Sequence, residues 1–205
     1  MNIAFDCDGV ISYFHSIFSK VANELFGIPI VEDINEVKSY LWDEWHPLSK
    51  KQVNNTWRKI DEDVYEFWYS MEPLVDSSVF KRIKTLEENN HKLFFVTSRR
   101  DTAGRNVIAQ TNDWIRNHIG LTNFSIIPSE KKGKIIEGIN ADYFIEDCVE
   151  NLLEVFHQGT KCKLFLLARP YNNFAIEFLK KSHKYRTINI VYSVDAFLDI
   201  IENAT

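Results

Sequence analysis

The chain has 205 residues, 45% of them hydrophobic and 14% aromatic, with three cysteines and a formal net charge of −5. That length suits one medium domain, or a domain carrying an insertion, with a sizeable core. The acidic balance argues against binding of nucleic-acid polymers, though a mononucleotide could bind locally, and three irregularly spaced cysteines argue against a disulfide framework or a zinc knuckle.

The first predicted strand, "NIAF" at 2–5, runs into Asp6 and Asp8 with one cysteine between them, then Gly9. Residues two apart in a strand point the same way, so both carboxylates can reach one centre where the strand ends. Gly9 lets the backbone turn sharply away. Residues 12–73 then separate this strand from the next βα unit, far too long for a plain connection. A helix with Phe14, Ile17, Phe18, Val21 and Leu25 on its apolar face opens this segment, and Gly27 is placed to end it. A second helix is predicted to carry Trp57, Ile60, Val64, Phe67 and Trp68. Four of the five tryptophans lie in this stretch, which reads as a small helical subdomain inserted after the first strand.

Strand-length apolar runs follow: "KLFFVT" at 92–97, "FSIIP" at 124–128, "ADYFIED" at 141–147, "CKLFLLA" at 162–168 and "INIVY" at 188–192. Continuously apolar strands are covered on both faces, as in a parallel sheet. Helical stripes lie among them: Val79, Ile83 and Leu86; Ile108, Ile115 and Ile119; Leu152, Leu153 and Phe156; Val194, Phe197, Leu198 and Ile201. The alternation predicts an α/β fold with a parallel sheet. No P-loop or G-x-G-x-x-G occurs, so no kinase or dinucleotide signature is present. No apolar run approaches membrane-spanning length, and the N-terminus has no signal-peptide pattern, so a soluble, cytoplasmic protein with no membrane partner is expected.

Ligands of an open parallel sheet bind beyond the carboxyl ends of its strands. At those ends stand Asp6 and Asp8; Thr97, Ser98, Arg99 and Arg100; and Glu146 and Asp147. Lys131, Lys132 and Lys134 lie just before the fourth strand. Carboxylates packed together repel one another unless a cation sits between them. Oxygen ligands without His or Cys favour Mg²⁺ over zinc. A magnesium ion, a lysine and a hydroxyl bind a phosphoryl group well. One carboxylate held in line can attack phosphorus to form an aspartyl-phosphate. A second can donate a proton to the leaving oxygen and later activate water. Asp6 and Asp8 fit those two roles.

"DCDGV", "FFVTS", the lysine region and "FIED", in that order, resemble the four motifs of the haloacid dehalogenase-like (HAD) hydrolase superfamily. "VTSRRDTAGRNVIAQTNDWI" and "KGKIIEGINADYFIED" are similar to its 5'(3')-deoxyribonucleotidase-like branch. The resemblance implies a Rossmann-like core at 1–11 and 74–205, a helical cap at 12–73, and Mg²⁺-dependent phosphoryl transfer. By position it implies Asp6 as nucleophile, Asp8 as general acid and base, and Thr97 holding phosphoryl oxygens. Lys132 is expected to neutralise charge, with Lys134 the alternative. The metal would be held by Asp6, the Asp8 main-chain carbonyl and Asp147, with Glu146 close by. Asn151 departs from the family pattern, in which a further aspartate is common.

Retention of Asp8 favours phosphate-ester hydrolysis over dehalogenation. The expected activity is a phosphomonoesterase for a nucleoside monophosphate or a similar small phosphate ester. Alternatives are a phosphatase for a sugar phosphate or phosphoglycolate, a phosphotransferase, and a non-catalytic binding module. Ser98, Arg99 and Lys134 are candidate substrate contacts, and Phe14 and Phe18 are placed to stack on a base. Plainer readings stand beside these: a turn at Asp8–Gly9, a helix cap at Thr97–Ser98, solvated lysines, and tryptophans that form the core of the insertion. Cys7 and Cys148 read as small packing residues.

Overall fold

A computed structural model describes residues 1–204. Six strands form one parallel sheet: β1 Asn2–Phe5, β2 Lys92–Thr97, β3 Phe124–Pro128, β4 Tyr143–Glu146, β5 Lys163–Leu167 and β6 Asn189–Val191. Their order is β3-β2-β1-β4-β5-β6. The chain builds outward from β1 to β3, then crosses back to lay β4 on the other side of β1. A crevice opens at such a reversal, beyond the carboxyl ends of the strands. Register sets what meets there: Phe5 lies opposite Phe95 on one side and Ile145 on the other. The residues that follow β1, β2 and β4 therefore emerge at nearly one level.

The helices are α1 Phe14–Phe26, α2 Trp42–Trp45, α3 Lys50–Asp63, α4 Ser77–Glu88, α5 Val107–His118, α6 Lys132–Gly138, α7 Val149–His157, α8 Asn173–Lys181 and α9 Val194–Glu202. The pleat divides the core. Ile3, Phe5, Phe95, Ile145 and Phe165 pack with Val79, Ile83 and Leu86 of α4, Ile115 of α5, and Phe197 and Leu198 of α9. Ala4, Val96, Phe144 and Leu166 pack with Ile136 of α6, Leu152 and Val155 of α7, and Ile176 of α8. Both faces are thus covered, which is why these strands are apolar on both sides. One stripe is corrected: Ile108 is half exposed, because the buried face of α5 runs through Val107, Thr111, Trp114 and Ile115.

Between β1 and α4 lie α1, α2 and α3. The two ends of this segment run side by side, Tyr13 N–H donating to the Glu72 carbonyl and Leu74 N–H to that of Ile11 (both 2.9 Å). Gly27 ends α1 at φ 65°, its N–H bonded to the Asn23 carbonyl, the left-handed stop that glycine provides. A Ser49–Gln52 capping box starts α3. That helix stops at Asp63, before Phe67 and Trp68, contrary to the predicted stripe. Glu66 turns left-handed (φ 61°), its N–H bonded to the Ala103 carbonyl and its carboxylate to Arg105, which pulls the chain out of the helical path. Phe67 and Trp68 are still buried, in an aromatic cluster with Phe14 and Trp57 that is continuous with the sheet core.

Candidate active site

Asp6 follows β1 directly, and its N–H donates to the Ile145 carbonyl (3.0 Å), extending the β1–β4 ladder by one residue. That bond fixes where its side chain projects. Lys132, the first residue of α6, reaches back over the sheet end and is 1% exposed. Its Nζ donates to Asp6 Oδ1 (2.6 Å) and Glu146 Oε2 (2.7 Å). The other oxygen of Glu146, Oε1, accepts the Asp147 and Cys148 N–H groups (3.2 and 3.0 Å). Asn151 donates to Glu146 Oε2 (3.4 Å), so the residue that departs from the family pattern orients an acid.

Asp6, Glu146 and Asp147 are all buried, and one carboxylate oxygen from each lies within 4.8 Å of the others. No other His, Cys, Asp or Glu group of this kind occurs among the described residues. When all three carboxylates are ionised, they exceed the one ammonium by two negative charges, at groups that are themselves buried. Asp147 Oδ1 is buried with no hydrogen-bond partner, although buried polar atoms almost always have one. An all-oxygen donor set, surplus negative charge and an orphaned carboxylate oxygen fit a hard divalent cation such as Mg²⁺.

Titration behaviour follows from the same crowding. Burial, then the charge of Glu146, pushes the Asp6 carboxyl up to about 7 against the pull of Lys132. Burial also lifts Glu146 to about 7, again opposed by Lys132. Burial and the Asp6 charge lift Asp147 to about 6, opposed by hydrogen bonds from Tyr171 and Tyr40. Burial acts to lower the Lys132 ammonium, but Asp6 and Glu146 outweigh it and hold it well above its ordinary value.

Asp8 points to the other side of the crevice. Arg99 grips its carboxylate with Nε (3.0 Å to Oδ2, 3.2 Å to Oδ1) and Nη2 (2.8 Å to Oδ1). Ser12 Oγ also donates to Asp8 Oδ1 (3.0 Å). The rest of the guanidinium bonds Ser12 and Thr111 and sits 5.1 Å from the Trp68 ring. Arg99 is therefore buried and committed to Asp8 rather than free for a ligand, which alters the contact expected of it. Its neighbour Arg100 pairs instead with Asp61 and lies over Trp57.

A cavity of about 190 Å³ opens over these groups, lined by Asp6, Asp8, Ser98, Arg99, Lys132 and Glu146 from the sheet end. Phe14, Tyr40, Trp57 and Trp68 line it from the inserted segment. Thr97 is fully buried beside it, accepting the Arg99 N–H on its hydroxyl (3.4 Å). Two expected contacts do not materialise. Lys134 is exposed and outside the cavity, because two residues along α6 rotate a side chain by about 200° from Lys132. Phe18 is fully buried against Trp42, 4.5 Å between ring centres, one helical turn deeper than Phe14. A larger groove of about 530 Å³ lies at the amino end of the sheet, around Met1, Asp142 and Lys163, away from the acids.

Sequence reasoning missed the loop after β5. Arg169 Nε donates to the Gly9 carbonyl (2.8 Å), Asn172 Nδ2 to the Asp147 carbonyl (2.8 Å), and the Tyr171 hydroxyl to Asp147 Oδ2. The strand-end rule, applied to "LLARPYN", would have pointed to this loop. Tyr40, whose hydroxyl also donates to Asp147 Oδ2 (2.8 Å), carries no signal in the sequence.

An aspartate leaving the central strand of such a sheet, with lysine and acids closing on it from later strand ends, defines a hydrolase of the HAD-fold phosphatase class. More particularly, residues 1–194 match the family described as 5' nucleotidase, deoxy (pyrimidine), cytosolic type C protein, and the chain belongs to that family. A nucleotidase of Clostridium acetobutylicum is 24% identical over 196 residues, which span 94% of this chain and 95% of its own. A protein of Oceanobacillus iheyensis, named provisionally as a nucleotidase, is 23% identical over 185 residues, 84% of this chain and 89% of its own. Among solved structures, a D,D-heptose 1,7-bisphosphate phosphatase from Burkholderia thailandensis aligns at a TM-score of 0.49 and 11% identity, covering 98% of this chain and 97% of that one. No helix of the described residues is long and apolar enough to cross a membrane.

Proposed function

We propose that this enzyme is a Mg²⁺-dependent phosphomonoesterase that works through an aspartyl-phosphate on Asp6 and acts on nucleoside monophosphates. One observation carries the reading: a buried Asp6, held by Lys132 and flanked by the unpartnered oxygen of Asp147, faces the same cavity as Asp8. Lys132 occupies Asp6 Oδ1, which leaves Oδ2 to attack phosphorus. As the Asp6–phosphorus bond forms, the ester P–O bond breaks, and protonated Asp8 gives its proton to the leaving oxygen. Asp8, then a carboxylate, takes a proton from water. The water oxygen attacks phosphorus, the Asp6–phosphorus bond breaks, and inorganic phosphate leaves.

Arg99 and Ser12 hold the Asp8 side chain in place at the cavity wall. Lys132 offsets charge on the phosphoryl group, while Thr97 and Ser98 at the end of β2 are the candidates to bind its oxygens. Asp6, the Asp8 main-chain carbonyl and Asp147 would hold the ion with Glu146 beside them; when bound, it supplies positive charge against the phosphoryl oxygens. Residues 12–73 act as a cap, and residues 1–11 with the described residues from 74 onward as the core; Thr205 lies outside the described residues. Three free cysteines suit a reducing, cytoplasmic setting.

The aromatic wall of Phe14, Trp57 and Trp68 supports a planar base as the ester's other half. The nucleotidase names of the relatives support it too. A second reading, a smaller phosphate ester, has its own support: about 190 Å³ is below the roughly 300 Å³ at which ligand pockets usually begin. Phosphate release separates the two when measured on ribo- and deoxyribonucleoside monophosphates beside sugar phosphates and phosphoglycolate, with Mg²⁺ or with EDTA. Nucleotides are expected to be preferred, with EDTA and Asp6→Asn each abolishing release. Turnover that survives either treatment refutes the mechanism.

A further inference from the structure

The two oxygens of Asp147 have opposite surroundings. Oδ1 is buried and unpartnered, whereas Oδ2 accepts two phenolic hydroxyls, from Tyr171 and from Tyr40 (2.8 Å). Two donors use the lone pairs of Oδ2 and leave Oδ1 as the oxygen open to a cation.

The phenols come from different parts of the molecule. Tyr171 sits in the loop after β5, which is fastened to the sheet end by Arg169 on Gly9 and by Asn172 on the Leu167 and Asp147 carbonyls. Tyr40 belongs to the cap, in irregular chain between the 3-10 turn Ile34–Glu36 and α2. Its ring meets that of Tyr171 edge-on at 4.8 Å. Among the hydrogen bonds of the described residues, the Tyr40 hydroxyl joins this stretch of cap directly to the acidic cluster.

We propose that Tyr171 and Tyr40 are positioning residues that aim Asp147 Oδ1 at the cation, and that Tyr40, being carried by the cap, couples cation binding to cap closure. The proposal rests on the cation reading given above. Outer partners of a metal carboxylate fix which oxygen it presents. Coupling between two equilibria is reciprocal: if the docked cap favours the ion, the ion favours the docked cap by the same factor.

The test uses the full chain and Mg²⁺ alone, without substrate. Titration calorimetry measures Mg²⁺ affinity for wild type, Tyr40→Phe and Tyr171→Phe, and hydrogen exchange follows residues 30–48 with and without Mg²⁺. Phenylalanine keeps the ring packing and removes only the hydroxyl; melts without metal check the fold. Tyr171→Phe is expected to weaken Mg²⁺ by roughly 10–100-fold. Tyr40→Phe is expected to weaken it by roughly 5-fold or more and to abolish the Mg²⁺-induced slowing of exchange in residues 30–48. Wild-type affinity in both variants, or equal slowing in Tyr40→Phe and wild type, overturns the proposal and leaves the cation reading intact. Failure of wild type to bind Mg²⁺ overturns both. Should Tyr171→Phe not fold, Tyr40→Phe decides alone.

Discussion

If the acids at the ends of β1 and β4 hold a divalent cation, as proposed, protons compete with it for them, and the burial of Asp6 sets the scale. Its carboxyl is pushed up to about 7, first by burial and then by Glu146. Below that value the folded protein holds a proton that the ion must displace, so apparent affinity falls about tenfold per pH unit. From pH 7 to 5 Asp6 alone accounts for about fiftyfold, or about 2 kcal/mol of Mg²⁺-linked stability, and Asp147, lifted to about 6, adds to it. For a chain of this size the Asp6 share is roughly 4–8 °C of melting temperature.

Without the ion, a raised acid contributes stability that is full below its unfolded pKa and is lost as pH rises through about 7. His15, lowered to about 4 by burial, acts in the opposite sense: its contribution is lost as pH falls from about 6.5. The raw pH profile therefore mixes two slopes, and the difference between melts in excess Mg²⁺ and in EDTA isolates the carboxylates. Scanning calorimetry at pH 5, 6, 7 and 8 is expected to show that difference growing with pH and levelling off above 7. A Mg²⁺ shift that is constant over this range, or largest at pH 5, refutes the competition.

Gly9→Ala is expected to abolish the Mg²⁺ shift and to cost about 1–3 kcal/mol in urea unfolding, since φ is 78° and a Cβ would collide with the Asp147 carboxylate and the Tyr171 hydroxyl. Arg99→Met unclamps Asp8. Single-turnover leaving-group release from a nucleotide should fall by roughly 100-fold, and that from p-nitrophenyl phosphate, whose leaving group needs no proton, by much less; equal losses would refute the pairing. Ile83→Ala, on the fully buried face of α4, should cost about 2–5 kcal/mol of stability with little change in KM, read by urea melts and steady-state kinetics.

Much of the fold is legible in the sequence. The strands are readable because burial on both faces leaves an uninterrupted apolar run, and the placement of Asp6, Thr97, Glu146 and Asp147 at the strand ends is readable because they close or follow such runs. Gly27 marked the end of α1 because a left-handed residue at that place favours glycine. The fate of neighbouring charges is less legible: motif position favours Lys132 over Lys134, but no local pattern says which of two adjacent arginines is buried. Lys132 is buried between two acids and Lys134 is exposed, although the two are separated only by Gly133. Arg99 is sealed against Asp8 while Arg100 reaches out to Asp61.

Chain order and local pattern determined the elements, the parallel sheet and the acids at its ends, because periodicity and strand termination are properties of short stretches. Tertiary structure alone decided who partners whom: Lys132 with Asp6, Arg99 with Asp8, and Tyr40 and Tyr171 with Asp147. Those pairs join residues 24 to 126 positions apart. They depend on strand register, on crossovers and on the rotation of a helix about its axis, which no local pattern encodes.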